Sequence, residues 1–142
     1  MDEAVHALVD LATPAPVAAR VLVADDEDDI RGLVCLAVGK AGCSVVDSVA
    51  DGTAALAAAR THLPGLAVLD VSMPGATGLE VCEALRADPA TAGIRILLLS
   101  AGASLDDVAR GLAAGADAYL AKPFAVAGLV HQIRSLTVGQ PA

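Results

Sequence analysis

From Arg20 onward, short aliphatic runs alternate with longer alanine-rich segments of helical period, the pattern of a parallel sheet covered by helices on both faces. The runs are Arg20 to Ala24, Cys43 to Val49, Leu66 to Leu69, Ile94 to Leu99 and Ala118 to Ala121, each of the length that suits a buried strand. Helices are expected between them. The first covers about Asp28 to Lys40 and stops before Gly42; the second opens at Asp51 or Thr53, good capping types, and ends before Pro64. A third runs from Gly78 to about Ala87, a fourth from near Ser104 to near Gly115, and the last from after Pro123 to about Thr137. Ser104 and Asp107 have the spacing of a capping box, with Asp a weaker partner than Glu. Five such units predict an open doubly wound α/β sheet, because a closed barrel needs eight.

A chain of 142 residues accommodates one domain, residues 20–137, between an arm at 1–19 and a short tail at 138–142. Thr13-Pro14-Ala15-Pro16 keeps a continuous helix from running out of the arm, and the tail is either a genuine end or the start of a linker to an output domain. The net charge of −8 argues against direct binding of nucleic acid by this chain. The aromatic residues are Tyr119 and Phe124, too few to stack bases, sugars or a flavin, so an FMN carrier is disfavoured. The richest apolar stretch, Ile94 to Leu105, is far too short to span a bilayer, and the acidic N-terminus is unlike a signal peptide, so a cytoplasmic location is the default. Cys35, Cys43 and Cys82 form no CxxC pair and read as small buried apolar residues; His6, His62 and His131 have no ligand spacing and read as surface residues.

In an open α/β sheet the ligand site lies beyond the carboxyl ends of the strands. The first run ends in Asp25-Asp26, the third in Asp70, the fourth in Ser100 and the fifth in Lys122-Pro123, whereas the second ends in unreactive Val49-Ala50. Clustered carboxylates repel one another unless a cation intervenes. All-oxygen ligation by few protein groups fits Mg²⁺ or Mn²⁺, which combine readily with a phosphate. Lys122 and Ser100 offer an ammonium and a hydroxyl for phosphoryl oxygens, and one aspartate remains to act as nucleophile through an acyl phosphate. In the acidic run from Asp25 to Asp29, Asp28 and Asp29 read as an ordinary helix start.

These residues resemble the receiver domain of two-component response regulators. The resemblance covers Arg20 to Thr137 and rests on Val-Leu-Val-Ala-Asp-Asp at 21–26, Leu-Asp-Val-Ser-Met-Pro-Gly at 69–75 with Gly78, Leu-Leu-Ser-Ala at 98–101, and Tyr119 with Lys122-Pro123-Phe124. It implies a flavodoxin-like (βα)5 fold with strand order 2-1-3-4-5. It implies Asp70 as phosphoacceptor; Asp26, Asp25 and the Ser72 backbone carbonyl, with Asp70, around Mg²⁺; Ser100 and Lys122 on the phosphoryl oxygens; and Ser100 with Tyr119 as the switch. Pro123 would follow a cis peptide bond and Gly78 would be structural. Ser100 stands where threonine is commoner, and small residues at Ser72 and Gly102 leave the site open to water, so a short-lived acyl phosphate is expected.

The implied partners are a sensor histidine kinase or phosphotransfer protein upstream. Downstream they are an effector, a second copy of the chain or a missing output domain, reading the surface from about Ser104 to Thr137. Such a protein catalyses only its own phosphotransfer and autodephosphorylation. A haloacid dehalogenase-type phosphatase is the enzyme alternative, with Asp26 as nucleophile and Asp28 as acid; it lacks an acidic pair after Lys122 and a cap insertion. A receiver that binds partners without phosphorylation is a further alternative.

Overall fold

The computed structural model describes residues 19–102 and 104–138. Five strands, β1 (Arg20–Ala24), β2 (Ser44–Val49), β3 (Leu66–Asp70), β4 (Arg95–Ser100) and β5 (Ala118–Ala121), alternate with five helices. The helices are α1 (Asp28–Lys40), α2 (Gly52–His62), α3 (Gly78–Ala87), α4 (Leu105–Ala113) and α5 (Val126–Thr137). All strand pairs are parallel and the order is β2-β1-β3-β4-β5, as the family resemblance implies. The arm and most of the tail lie outside the described residues.

The three central strands are buried on both faces, which is why they read as unbroken aliphatic runs. Leu22, Ala67, Leu69, Ile96 and Leu98 face one layer with Ala55, Ala59, Val81 and Leu85. Val21, Val23, Val68, Leu97 and Leu99 face the other with Val34, Val38, Leu129 and Ile133 of α1 and α5. Alternation of side chains along each strand sorts them between the two layers. The edge strand β2 carries Ser44, Asp47 and Ser48, and its polar positions keep that open edge wet.

Strand boundaries shift by one residue where backbone groups are already engaged. Gly42 adopts φ +82°, the Cys43 N–H closes onto the Val38 carbonyl, and the Gly42 N–H onto that of Gly39, so the ladder begins at Ser44 rather than Cys43. Ile94 turns back to the Thr91 carbonyl, which moves the start of β4 to Arg95. At the other end the ladder continues through Asp70, opposite Leu99, so the carboxylate is fixed by the last pairing of the sheet.

Helix starts follow their caps. Asp51 accepts from the Ala54 N–H, and Ser104 accepts from the Asp107 N–H at 3.1 Å while the Asp107 carboxylate pairs with Arg110. The full reciprocal box is at Thr77 and Glu80, with bonds of 3.1 and 3.0 Å, a T-x-x-E spacing that escaped the sequence reading. Gly78 is required by close approach: a Cβ there would lie 2.4 Å from the Asp70 carbonyl oxygen. Gly52 is still tighter, its Cβ falling 1.9 Å from the Ala76 carbonyl oxygen. Two expectations about scattered residues need correction. Only Cys82 of the cysteines is buried, and His62 is half-buried with Nε2 3.7 Å from Asp47 Oδ2. His131 is exposed, and His6 lies outside the described residues.

Candidate functional site

The carboxyl ends of β1, β3, β4 and β5 converge at one end of the sheet, and Asp25, Asp26, Asp70, Ser100 and Lys122 arrive there together. Asp25 is fully buried and Asp70 is 3% exposed, whereas Asp26 is exposed. Lys122 reaches over from β5 with its side chain 11% exposed; its Nζ lies 2.9 Å from Asp25 Oδ2 and 3.4 Å from Asp70 Oδ1. The Lys122–Pro123 peptide bond is cis.

A fourth acid joins them. Glu27 Oε1 accepts from Lys122 Nζ at 3.2 Å, although Glu27 is largely exposed. The sequence reading passed over it as part of the acidic run. Its position directly after Asp25-Asp26, before the first turn of α1, was the available signal. The Glu27 N–H also donates to Asp25 Oδ1 at 2.9 Å, which fixes the buried carboxylate in the turn. Asp28 behaves as expected of a helix start, pairing with Arg31 at 2.7 Å.

Burial, and then the neighbouring charge of Asp25, push the Asp70 carboxyl up to about 6. Lys122 and the Ser72 N–H, 3.3 Å from Asp70 Oδ1, oppose that rise without cancelling it. For Lys122 itself burial acts downward, but the Asp25 contact and the surrounding negative charge outweigh it and hold the ammonium above its ordinary pKa. It is a permanent cation at neutral pH.

Do these residues fit a divalent cation? Ligand oxygens of Asp25, Asp26, Glu27 and Asp70 lie within 4.8 Å of one another. Four carboxylates against one ammonium leave three formal negative charges uncompensated when all are ionised. Among the described residues no hydrogen bond is directed at buried Asp25 Oδ2, so its contact with Lys122 is ionic only. A hard cation with oxygen ligands answers both the excess charge and the buried oxygen that has only the Lys122 ammonium beside it. Ser72 stands on the loop after β3, next to this cluster.

Ser100 and Tyr119 meet through one residue, Gly102. The Gly102 N–H donates to Ser100 Oγ at 3.0 Å, and the Tyr119 hydroxyl donates to the Gly102 carbonyl. Tyr119 is half-buried with its ring against Gly111, where a Cβ would lie 2.9 Å from Cδ2. A small cavity of about 170 Å³ lies between Ser100 and Tyr119, with Asp107 and Arg110 of α4 on its wall. From sequence Asp107 reads only as the partner of Ser104 in a capping box, and Arg110 as an ordinary charge on a helix surface.

A family model for the response regulator receiver domain matches residues 21–134. The probable transcriptional regulatory protein TcrX of Mycobacterium tuberculosis is 39% identical over 116 residues, covering 82% of this chain and 48% of that protein. The DNA-binding response regulator MtrA of Mycobacterium leprae is 38% identical, covering 82% of this chain and 50% of that protein. The chain thus spans about half the length of the curated relatives it matches. The signal receiver domain of the response regulator NarL from Mycobacterium tuberculosis superposes with a TM-score of 0.80 at 35% identity, over 88% of this chain and all of that one. The chemotaxis response regulator CheY4 of Vibrio cholerae gives 0.78 at 33% identity, over 84% of this chain and 99% of that one.

Proposed function

Since this chain belongs to the response regulator receiver domain family, we propose that Asp70 takes a phosphoryl group from a phosphohistidine of a sensor kinase or phosphotransfer protein. The observation that carries this reading is a buried carboxylate at the end of β3 with a lysine ammonium 3.4 Å away and two further aspartates beside it. An Asp70 oxygen attacks phosphorus in line, the phosphorus–nitrogen bond breaks, and the imidazole leaves, giving an acyl phosphate. Asp25, Asp26, Asp70 and the Ser72 carbonyl would hold Mg²⁺ or Mn²⁺, which when bound neutralises the clustered carboxylates and the incoming phosphoryl oxygens.

Lys122, with Nζ 3.4 Å from Asp70 Oδ1, exchanges part of its carboxylate contact for a phosphoryl oxygen. The Ser100 oxygen accepts from Gly102, which leaves its own proton to donate to another phosphoryl oxygen. Asp70, not Asp26, is the nucleophile, because it is the buried carboxylate with the raised pKa and Asp26 faces solvent. That preference counts against the dehalogenase-type reading, which needs Asp26 in that role.

The resulting switch is read on α4, β5 and α5, where an effector, a second copy or an output segment of a longer chain senses it. The chain acts in the cytosol as a signalling switch and catalyses only its own phosphotransfer and dephosphorylation. The test is the intact mass after incubation with Mg²⁺ and acetyl phosphate, for the wild type, for Asp70→Asn and with chelator. One phosphoryl adduct that needs both metal and Asp70 supports the reading. No adduct on folded protein with several donors overturns it in favour of a phosphorylation-independent binding module.

A further inference from the structure

A groove of about 510 Å³ runs between α1 and α5, lined by Lys40 of α1 and by Val126, Ala127, Val130, His131 and Arg134 of α5. Its floor is apolar. One end is basic, because Arg134 donates to the Lys40 carbonyl at 3.0 Å and so brings a second cation to the C-terminal end of α1.

The wall that α1 gives to this groove has an order of its own. Asp29, Leu33, Leu36 and Lys40 follow at spacings of four, three and four residues and form one stripe along the helix. All four are exposed, Leu33 by 40% and Leu36 by 51%, whereas Val34, Ala37 and Val38 are buried against the sheet. Cys35, on the other flank of α1, contacts Ser48 of β2, which leaves the stripe on the side of α5. Among the described residues, neither the Asp29 carboxylate nor the Lys40 ammonium has an ion-pair partner. Gly32 and Gly39, along the outer edge of the stripe, leave room for a close neighbour, since nothing lies within 4 Å of where their Cβ atoms would be.

Read from either end, the stripe is charge, leucine, leucine, charge, with the sign reversed. The midpoint between positions 29 and 40 is also the midpoint between 33 and 36. A surface that pairs with itself about a twofold axis must be self-complementary, and this stripe is. We propose that the α1/α5 face binds the same face of a second copy, with the two α1 helices antiparallel about an axis through that midpoint. Leu33 then meets the partner's Leu36, and Asp29 meets the partner's Lys40 with Arg134 behind it. The spacing is that of the seam positions of a coiled coil, whose side chains interlock with a facing helix. Ala127 and Val130 of α5 extend the apolar middle of the contact. This face is distinct from the α4, β5 and α5 surface assigned to the switch, and the pairing does not rest on phosphorylation of Asp70.

Sedimentation velocity on the full chain, from about 10 µM to about 1 mM, covers the range of a weak interface of this size. The wild type should pass from monomer to dimer over that range, and Asp70→Asn should do the same. Leu33→Glu with Leu36→Glu should stay monomeric throughout. Asp29→Lys alone, or Lys40→Asp alone, should weaken association at least about tenfold by setting like charges together at both ends. Mixed in equal amounts, these two charge variants should associate again, because each supplies the sign that the other lacks; circular dichroism of each variant verifies its fold. A wild type that is monomeric at the highest concentration would overturn the proposal and leave the groove to a different protein. A dimer indifferent to the leucine variant, or charge variants that stay apart when mixed, would also overturn it by placing the contact on another face.

Discussion

Replacing Asp70 by Asn should stabilise the metal-free protein, although it removes the residue on which the proposed chemistry rests. Burial and the charge of Asp25 lift the Asp70 carboxyl from 3.8 to about 6, so ionising it costs more in the folded than in the unfolded chain. Two pKa units correspond to about 3 kcal/mol of folding free energy lost once the group is ionised in both states. Asn keeps the shape and can still accept from the Ser72 N–H; the attraction to Lys122 is already counted in the net shift, and the cost of burying the neutral amide is what trims the expected gain to about 2 kcal/mol. Because the folded state holds the proton more tightly, wild-type stability falls as pH rises between about 4 and 6 and is level above that. The advantage of Asn is therefore full at pH 8 and gone near pH 4. Urea unfolding in chelator at several pH values measures it, and Mg²⁺ added at pH 8 should narrow the gap by stabilising only the wild type. An Asp70→Asn protein no more stable than wild type at pH 8, or a gap that ignores pH, would refute this account of the site.

Gly78→Ala and Gly52→Ala each place a methyl against a backbone carbonyl oxygen, at 2.4 and 1.9 Å, and should cost about 3 kcal/mol or prevent folding, as thermal melts will show. Arg86→Met should cost about 3 kcal/mol by chemical denaturation, because Arg86 donates to the carbonyls of Gly115, Ala92 and Ile94 and pairs with Asp117 at 2.9 Å. The loss should be independent of Mg²⁺, since these contacts lie away from the carboxylate cluster. Ser72→Arg should lengthen the life of the acyl phosphate severalfold by covering, from exposed position 72, the approach of water to the proposed phosphoryl group; decay of the phosphoryl adduct followed by mass measures it, and an unchanged half-life would reject the open-site explanation.

Much of this was legible in the chain because parallel α/β topology is unforgiving. Once Arg20–Ala24, Leu66–Asp70, Arg95–Ser100 and Ala118–Ala121 are read as parallel strands, Asp25, Asp70, Ser100 and Lys122 must share one end of the sheet. Boundaries slipped where a cap competed with the ladder, as at Cys43, whose N–H closes α1. Glu27 was missed because its role depends on how far an exposed side chain leans toward a lysine 95 residues away. Arg86 was missed for the same reason: its guanidinium ties α3 to the approaches of β4 and β5, contacts that a periodicity argument does not contain.

Gly102 has a mechanical consequence. Its N–H lies in the peptide plane before its Cα and its C=O in the plane after it; the first donates to Ser100 and the second accepts from Tyr119. The two planes share that one Cα, so a pull on the serine side that displaces it would also move the anchor under the phenol. With the ring resting on Gly111 of α4, such a motion would reach a helix surface while the strands beneath stay still.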